Sequence, residues 1–286
     1  MRRAFPEHGD PSPRSVAIRA AADVAENALR YPIIIKPTDR SGSRGITRLE
    51  SPAGLEEAIA FAAGEGFEGQ VLAEEFAPGL EYSVEGLSWK GQHRLLAITR
   101  KYTTGSPHFI ETAHLQPAPL DPKTAGRVWQ TVEHALDSLE ITSGASHAEL
   151  KIAKDGTIRL IEIGARMGGD LIGSDLVPLS TGIDFTAEVI RAALGEPPLL
   201  FARKEEEKRA DQAAAVRFVF RDADLKVLER IRKTRPELLV REEVQPLAAR
   251  PVTNSSSRFG AFVLRAETAE ELLPWLPEIQ QDGVEG

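Results

Sequence analysis

The sequence contains no cysteine among its 286 residues. Disulfides, thiolate zinc sites and thiol nucleophiles are therefore excluded, and the composition is compatible with the cytoplasmic location that we expect. The first residues, MRRAFPEHGDPSPRS, contain no apolar run, so we expect no signal peptide. No segment approaches the roughly 20 apolar residues that cross a bilayer, so we expect no membrane association.

The chain also carries fewer positive charges than negative ones. Lysine and arginine together number 35, aspartate and glutamate number 43, and the formal net charge is −8 at pH 7. A surface of this sign repels the phosphates of nucleic acids, so we expect no nucleic-acid partner. A local basic pocket for a nucleotide is compatible with this charge. With 42% hydrophobic residues, the chain can build one large domain or two modest ones.

The positions of apolar residues, glycines and prolines predict alternating helices and strands. The proline-rich residues 1–15 indicate an arm or linker. The charged run at 204–212 is the best candidate for a domain boundary, although such runs are usually solvated surface. The predicted elements are a helix at 15–29, a strand at 31–37, a loop at 38–45, a helix at 54–66, strands at 69–79, 81–91 and 93–103, a helix at 122–139, a hairpin at 145–166, a helix at 183–194, a strand at 213–220, and helices at 223–233 and 268–278.

The hairpin carries the most informative pair of residues. If Asp155 and Gly156 form a two-residue loop, counting outward along both strands places Glu149 opposite Glu162. Directly opposed residues share one face of a sheet, with Cβ atoms roughly 4.5–5.5 Å apart. Two like charges placed there repel each other unless a divalent cation lies between them. Mg²⁺ takes hard oxygen ligands, typically one or two carboxylates completed by water and phosphate.

The alternative is a solvent-facing hairpin on which each glutamate pairs with a nearby lysine. The apolar surroundings of Glu162, within IRLIEI, argue against it because an unpaired charge there would be costly. A three-residue loop would shift the register by one and put the carboxylates on opposite faces. Arg166, four residues after Glu162, is a fixed cation that can hold the charge developing on a transferred phosphoryl group.

A lysine and a glycine-containing loop follow the first apolar strand. Lys36 ends that strand just before a proline, where a lysine either reaches the surface or points at an anion. The loop SGSRG, residues 41–45, has the glycines and hydroxyls that let backbone N–H groups approach phosphate, although most such loops are only connections. It matches neither the P-loop pattern nor the dinucleotide fingerprint GxGxxG.

The segment LAEEFAPGLE predicts a strand, a turn and the start of the next strand at Glu81. A hinge of this kind can offer backbone groups to the edge of an adenine, with Phe76 in apolar contact and Glu81 at a ribose hydroxyl. The alternative is a strand–turn–strand unit with acidic residues at the surface.

Taken in order, the motifs KP-x3-SGSRG, EEFAPGLE and HAELKI…GTIRLIEIGARMGGD resemble those of the ATP-grasp superfamily. Their order and spacing are more specific than any single motif, and the similarity runs from about residue 2 to about residue 265. Within the superfamily, three segments look closest to the L-amino acid ligases that form dipeptides. These are TRKYTTGSPHFIETAHLQPAPL, GARMGGDLIGSDLVPLSTGID and NSSSRFG.

The resemblance implies an α+β protein with the ATP-grasp fold, in which two α/β subdomains enclose the nucleotide and a C-terminal α/β extension follows. The small lid subdomain with its N-terminal arm would be residues 1–77, the large subdomain with the metal site 78–200, and the C-terminal subdomain 201–286. The implied activity is that of a carboxylate–amine ligase that uses ATP and Mg²⁺, or Mn²⁺, and forms ADP and phosphate through an acyl-phosphate. Its substrates would be a small carboxylate, such as an amino acid, and an amine.

The resemblance also assigns roles to matching residues. The catalytic pair would be Arg166 and Lys36, and the metal ligands Glu149 and Glu162. Residues near the nucleotide would be Lys36, Ser41, Gly42, Ser43, Gly45, Glu74, Glu75, Phe76, Ala77, Glu81 and Lys101. Residues near the substrates would be Glu111, His114, Gly168 and Gly169. Considered alone, a histidine such as His114 more often has a structural or surface role.

Two departures from the family pattern matter. The family commonly has Glu-x-Asn after the second carboxylate, and here Gly164 replaces the asparagine, so water fills that position or metal binding weakens. The family also has an N-terminal domain and an ATP-contacting lysine before the position of Met1, and we expect the chain to lack both. The alternative function is therefore a non-catalytic or split-enzyme ATP-binding subunit, whose missing domain a partner subunit would supply.

Overall fold

The computed structural model describes residues 1–106, 109–202 and 212–278. The charged run proposed as a boundary, 204–212, lies outside these ranges except for Gln212. Within them the chain forms two antiparallel sheets, one of four strands and one of eight, with helices packed against them. None of the helices in these ranges is both long and apolar enough to cross a membrane.

The small sheet has the strand order β1-β4-β2-β3. Its strands are β1 (Ser15–Ile18), β2 (Ile33–Pro37), β3 (Thr47–Leu49) and β4 (Val71–Glu75). Helices α2 (Ala21–Glu26) and α3 (Leu55–Glu65) cover one face. Ile33 and Ile35 are fully buried in that core. Because side chains alternate along a strand, Lys36 faces the other side of the sheet.

The large sheet has the strand order β11-β12-β10-β7-β6-β5-β8-β9. Its strands are β5 (Leu80–Trp89), β6 (Gln92–Thr103), β7 (Glu111–Gln116), β8 (Gly144–Ile152), β9 (Ile158–Gly164), β10 (Ala213–Phe218), β11 (Leu239–Val244) and β12 (Gly260–Ala266). Strand β10 pairs with β7, so one sheet continues across residue 200, where the sequence suggested a subdomain boundary. The suggested boundary at residue 77 falls between the two sheets. The division of the chain into three subdomains stays a prediction.

The remaining helices pack against the large sheet or lie at its ends. Asp121 caps the longest of them, since its carboxylate accepts hydrogen bonds from two backbone N–H groups of the first turn. The apolar stripe of that helix, with Val128 and Val132, packs against Leu150 and Leu160 of the hairpin. These helices are α1 (Ala4–His8), α4 (Pro122–Ser138), α5 (Val177–Thr181), α6 (Phe185–Ala193), α7 (Asp222–Thr234) and α8 (Ala269–Leu272).

Three predictions of secondary structure are wrong in part. The N-terminal arm is not a detached linker, because Phe5 of α1 is fully buried in the same core as α4. The helix predicted from Ser15 begins only at Ala21, because residues 15–18 pair with β4 and this tertiary pairing overrides the helical spacing. The last helix is short, because Pro274 lacks the N–H that an α-helix needs and a 3₁₀ turn replaces it.

Candidate functional site

A cleft of about 900 Å³ lies between the two sheets. Most residues that the sequence predicts for the site line it. These are Lys36, Ser41, Gly42, Ser43, Glu74, Glu75, Phe76, Ala77, Glu81, Lys101, Glu111, Glu149, Glu162 and Arg166. Four others, Gly45, His114, Gly168 and Gly169, lie outside its lining.

The hairpin of β8 and β9 places Glu149 directly opposite Glu162, as predicted. The predicted two-residue loop is wrong, however. Ala153 bonds to Thr157, which leaves a three-residue loop with Gly156 in the left-handed region at φ 79°. This loop shifts the register by one, so Ile152 pairs with Ile158.

A β-bulge restores the pairing of the two carboxylates. Leu150 pairs with Leu160, whereas the next pair is Glu149 with Glu162, so Ile161 is the extra residue on β9. Without this bulge Glu162 would lie opposite Ala148 and point to the other face of the sheet. The pairing of the two glutamates therefore depends on an irregularity that counting from the turn does not reveal.

Lys101 neutralises part of the negative charge around Glu149. Its Nζ lies 2.6 Å from Glu149, 2.9 Å from Glu81 and 3.7 Å from Glu111. Burial alone would lower the pKa of Lys101, but these carboxylates raise it well above its ordinary value. Burial would likewise raise the pKa of Glu149, but Lys101 and then His147 hold it well below its ordinary value. Lys101 thus contacts Glu81, the residue that the resemblance assigned to ribose.

Among the residues that the structure describes, no cation forms an ion pair with Glu162, which is exposed on the cleft wall. Desolvation within the cleft and the neighbouring Glu149 raise its pKa, although Lys36, Arg166 and Lys101 oppose the rise. The opposed pair therefore has excess negative charge that a divalent cation would relieve. In the described ranges no group of three or more His, Cys, Asp or Glu side chains could hold a metal ion. Two carboxylates suit Mg²⁺ or Mn²⁺ only if phosphate and water complete the coordination.

Gly164 lies next to the side chain of Arg166. A Cβ built there would lie 3.3 Å from Cγ and 3.4 Å from Nε of Arg166. The Arg166 guanidinium folds back and donates to the carbonyl of Met167 over 2.8 Å. A side chain at 164 would therefore require the Arg166 side chain to shift by a few tenths of an ångström.

The carboxylate of Glu74 binds Lys36 and so is not free to contact an adenine. One carboxylate oxygen forms an ion pair with Lys36 Nζ and the other with Arg2 Nη2. The neighbouring carboxylate of Glu75 turns away to Arg30, with Nη2 at 3.0 Å. Any adenine contact from this pair of glutamates must therefore come from their main chain.

Phe76 lies between two cations at the edge of the cleft. The guanidinium carbon of Arg48 is 4.0 Å from the ring centroid, and Lys151 Nζ is 4.8 Å from it. Such cation–π contacts hold the ring in place. The predicted contact of Phe76 with an adenine stays a prediction, because these two cations already contact the ring.

The glycine-containing loop reaches across the cleft. Ser43 Oγ donates to the carbonyl of Phe109 over 3.1 Å, and Arg44 Nη2 donates to Ser256 Oγ over 2.8 Å. Gly45 has φ 71° and no room for a side chain, since a Cβ there would lie 2.9 Å from Glu65 Cβ. The loop thus covers the cleft from the small sheet and touches the large one.

The residues predicted near the substrates lie beyond Lys101. Glu111 Oε2 accepts a hydrogen bond from Ser255 Oγ over 2.8 Å. His114 is 1% exposed, packs edge-on against Phe218, and has its Nε2 3.9 Å from Asp170. This burial is compatible with the structural alternative for His114.

Sequence reasoning missed a buried chain of groups behind Glu149. Glu85 is fully buried, and its oxygens accept from His147 Nδ1 and from the backbone N–H of Gly168, the latter over 2.8 Å. His147 Nε2 lies 3.1 Å from Glu149. Burial lowers the pKa of His147, but Glu85 and Glu149 together raise it to about 9. His147 and Glu149 lie two apart on β8, and this same-face spacing is the signal that could have indicated the contact.

A second missed pair closes the far end of the site. Arg258 Nη1 donates to Asp170 Oδ2 over 2.9 Å, and Nη2 forms a second contact with Oδ1 over 2.5 Å. Burial alone would raise the pKa of Asp170, but its contacts with His114 and with Arg258 hold that pKa far below its ordinary value. No short motif in the sequence joins these two positions, since they are 88 residues apart.

A family model described as an ATP-grasp domain matches residues 29–175, which is just over half of the chain. The chain therefore belongs to the ATP-grasp family, and the predicted resemblance and α+β fold are confirmed.

Several similar proteins are named as ligases. The alanine–anticapsin ligase of Bacillus subtilis (strain 168) is 28% identical over 194 residues, which cover 59% of this chain and 40% of that protein. A D-alanine–D-alanine ligase of Ralstonia nicotianae is 29% identical over 206 residues, covering 67% and 60%. The crystal structure of an L-amino acid ligase from Bacillus licheniformis superposes with a TM-score of 0.78 and 28% identity, over 96% of this chain and 67% of that chain. The chain thus matches 40% and 60% of the lengths of the two curated relatives.

Proposed function

We propose that this chain carries the ATP- and metal-binding part of a carboxylate–amine ligase that acts through an acyl-phosphate. The observation that carries the proposal is the convergence of Lys36, the opposed Glu149 and Glu162, and Arg166 on one cleft. Phosphoryl transfer needs little covalent chemistry from a protein, because positioning and charge neutralisation supply most of the catalysis. These four side chains supply both.

Each group has a distinct task in the proposed reaction. Lys36, held by Glu74, faces the cleft and binds nucleotide phosphate. Glu149 and Glu162 would hold Mg²⁺, which when bound neutralises phosphate charge and fixes the terminal phosphoryl group. Arg166 stabilises the charge that develops as the substrate carboxylate oxygen bonds to that phosphorus and ADP leaves.

The acyl-phosphate is then attacked by an amine, which forms the amide and releases phosphate. Water would destroy the intermediate, so the site has to be covered during the reaction. The loop at 41–45 is suited to this task, because it already contacts Phe109 and Ser256 on the opposite wall. We propose amino acids as substrates, since the relatives are named as ligases of alanine, D-alanine and L-amino acids.

The test is a matrix of amino acids, singly and in pairs, with phosphate release as the measured quantity. We expect release that requires ATP, a divalent cation and particular amino acids. Glu162→Gln should abolish it, whereas Glu133→Gln, on the exposed face of α4, should not. Adding a candidate N-terminal partner extends the matrix, because the curated relatives are longer than this chain.

The alternative of a non-catalytic or split-enzyme subunit has its own outcome. Binding of Mg-ATP without turnover under every condition would refute the ligase activity of this chain and support a nucleotide-binding subunit. Absence of nucleotide binding would refute both.

A further inference from the structure

Arg2 contacts both walls of the cleft through one guanidinium. Nη1 donates to the carbonyl of Leu160 over 3.0 Å and Nη2 to that of Ile161 over 2.6 Å. Nη2 also forms an ion pair with Glu74, and the arginine side chain is only 10% exposed. One side chain therefore joins β4 of the small sheet to β9 of the large sheet.

The two carbonyls lie at the bulge that orients Glu162. Ile161 is the extra residue of that bulge, and Leu160 is the last residue before it. In the described sheet β9 is a terminal strand, so no further strand supplies donors on its outer side. Arg2 supplies them instead, and its two parallel N–H groups fit two successive carbonyls that the bulge has turned.

The same guanidinium is tied to the phosphate lysine. Glu74 accepts Arg2 on one oxygen and Lys36 on the other. The Arg2 guanidinium is also close enough to Glu162 for that carboxylate to oppose the effect of burial on the pKa of Arg2. A continuous set of contacts thus runs from Lys36 to the strand that carries Glu162.

We propose that Arg2 is a positioning residue for the metal and phosphate site. It holds the bulge that turns Glu162 toward Glu149, and through Glu74 it sets Lys36 at a fixed distance from that pair. The proposal that Arg2 stabilises the bulge depends only on the fold. The proposed effect on metal and nucleotide binding rests on the proposed function.

The first experiment measures backbone hydrogen exchange in segment 158–164 of the full chain without nucleotide. Hydrogen bonds to a charged donor stabilise more than neutral ones do. Arg2→Met should therefore raise the amide exchange rate of segment 158–164 at least about tenfold, whereas the exchange rate of β5 should not change. Arg2→Lys keeps the charge but cannot span both carbonyls, and should give an intermediate rate. Arg265→Met, an exposed arginine on β12, is the matched control and should leave the segment unchanged.

The second experiment titrates Mn²⁺ in the presence of ADP by electron paramagnetic resonance. Groups that orient metal ligands typically contribute about 10–100-fold to metal affinity, so Arg2→Met should raise the Kd for Mn²⁺ by at least about tenfold. Arg2→Lys, the variant to use if the methionine form does not fold, should raise it less. Arg265→Met should match the wild type.

The outcomes separate the two proposals. Unchanged exchange in segment 158–164 together with unchanged Mn²⁺ affinity would overturn the role of Arg2. A uniform rise in exchange over both sheets, with Mn²⁺ affinity unchanged, would also overturn it, because Arg2 would then only stabilise the fold. If the wild type itself fails to bind Mn²⁺ with ADP, the proposed function falls, and the exchange experiment still decides whether Arg2 holds the bulge.

Discussion

Replacing Lys101 by methionine should make the stability of this protein depend more strongly on divalent cations than that of the wild type. The lysine is 4% exposed, and its Nζ lies within 3.7 Å of Glu149, Glu81 and Glu111. Methionine keeps most of the length and the apolar stem but removes the charge. Three carboxylates would then face one another with their shared counter-ion gone.

The magnitude follows from the burial of the partners. Removing one member of a buried ion pair typically costs about 3–5 kcal/mol. The side chains of Glu81 and Glu149 are 19% and 23% exposed, so water moderates the repulsion and we expect the lower end, about 3 kcal/mol. A cation at the Glu149–Glu162 pair would replace the lost charge. At 100 times its Kd it would return about 2.7 kcal/mol, nearly the whole loss.

The assay is urea unfolding at pH 7 in the presence of ADP, once with EDTA and once with excess Mg²⁺. Lys101→Met should lose about 3 kcal/mol in EDTA and recover most of it with Mg²⁺. Lys154→Met, in the exposed hairpin loop, is the control and should match the wild type in both buffers. Adding Glu149→Gln to Lys101→Met should restore part of the stability in EDTA and abolish the response to Mg²⁺.

The pH dependence gives an independent check. The pKa of Lys101 is raised above 10.5, so its stabilisation is complete below that pH and is lost only as pH rises through the folded value. The pKa of Glu149 is lowered below 4.5, so its stabilisation is present above pH 4.5 and is lost as pH falls. The difference between wild type and Lys101→Met should therefore be constant near neutrality and shrink in acid. A variant as stable as the wild type in EDTA, or one whose loss is equal in both buffers, would refute the reasoning.

Three further predictions use the same structure. Glu162→Gln should raise the free energy of unfolding at pH 7 by up to about 1 kcal/mol while weakening Mn²⁺ binding, because the raised pKa means that its charged form opposes folding above pH 4.5. The stabilisation from His147 should be complete below pH 6.5 and lost as pH rises through about 9, so urea unfolding across this range should show a slope that His147→Gln lacks. Gly168→Ala should cost about 1–3 kcal/mol, because its Cβ would lie 2.6 Å from a carboxylate oxygen of Glu85.

Each of these has a control within the chain. Gly169→Ala should be nearly neutral, since nothing lies within 4 Å of a Cβ built there, and equal effects at 168 and 169 would contradict the account of Glu85. For Glu162→Gln, a loss of stability at pH 7 would mean that the opposed carboxylates do not repel each other. For His147→Gln, an unchanged slope between pH 6.5 and 9 would show that the imidazolium is not stabilised by Glu85 and Glu149.

Most strands and helices in the middle of the chain could be predicted from the local sequence pattern. The strand ending at Lys36, the helix with its stripe through Val128 and Val132, and the two strands around Lys90 and Gly91 have strong periodicity and clear turn residues. The first strand could not be predicted in this way, because the apolar spacing of residues 15–18 also fits a helix. Only the pairing with β4 decides between helix and strand.

The site was predictable as a set of residues but not as a set of contacts. The hinge that includes Glu74 and Glu75 was assigned to adenine by resemblance, but the sequence did not indicate that their side chains pair with Lys36 and Arg30. Glu85 and His147 were missed. Glu85 lies outside the matched motifs, and the partners of His147, which begins the motif HAELKI, become apparent only when β5 lies beside β8.

The sequence by itself determined the class of chemistry that is possible here: no thiol chemistry, an acidic surface, and an ordered series of motifs that identifies an ATP-grasp protein. Those properties depend on residue types and on spacing along the chain. The tertiary structure alone decided that Glu162 faces Glu149, since a three-residue loop and a bulge at Ile161 each shift the register and cancel. It alone also joined Arg2 to that bulge across 159 residues, because an electrostatic or hydrogen-bonding partner is chosen by distance in space and not by distance in sequence.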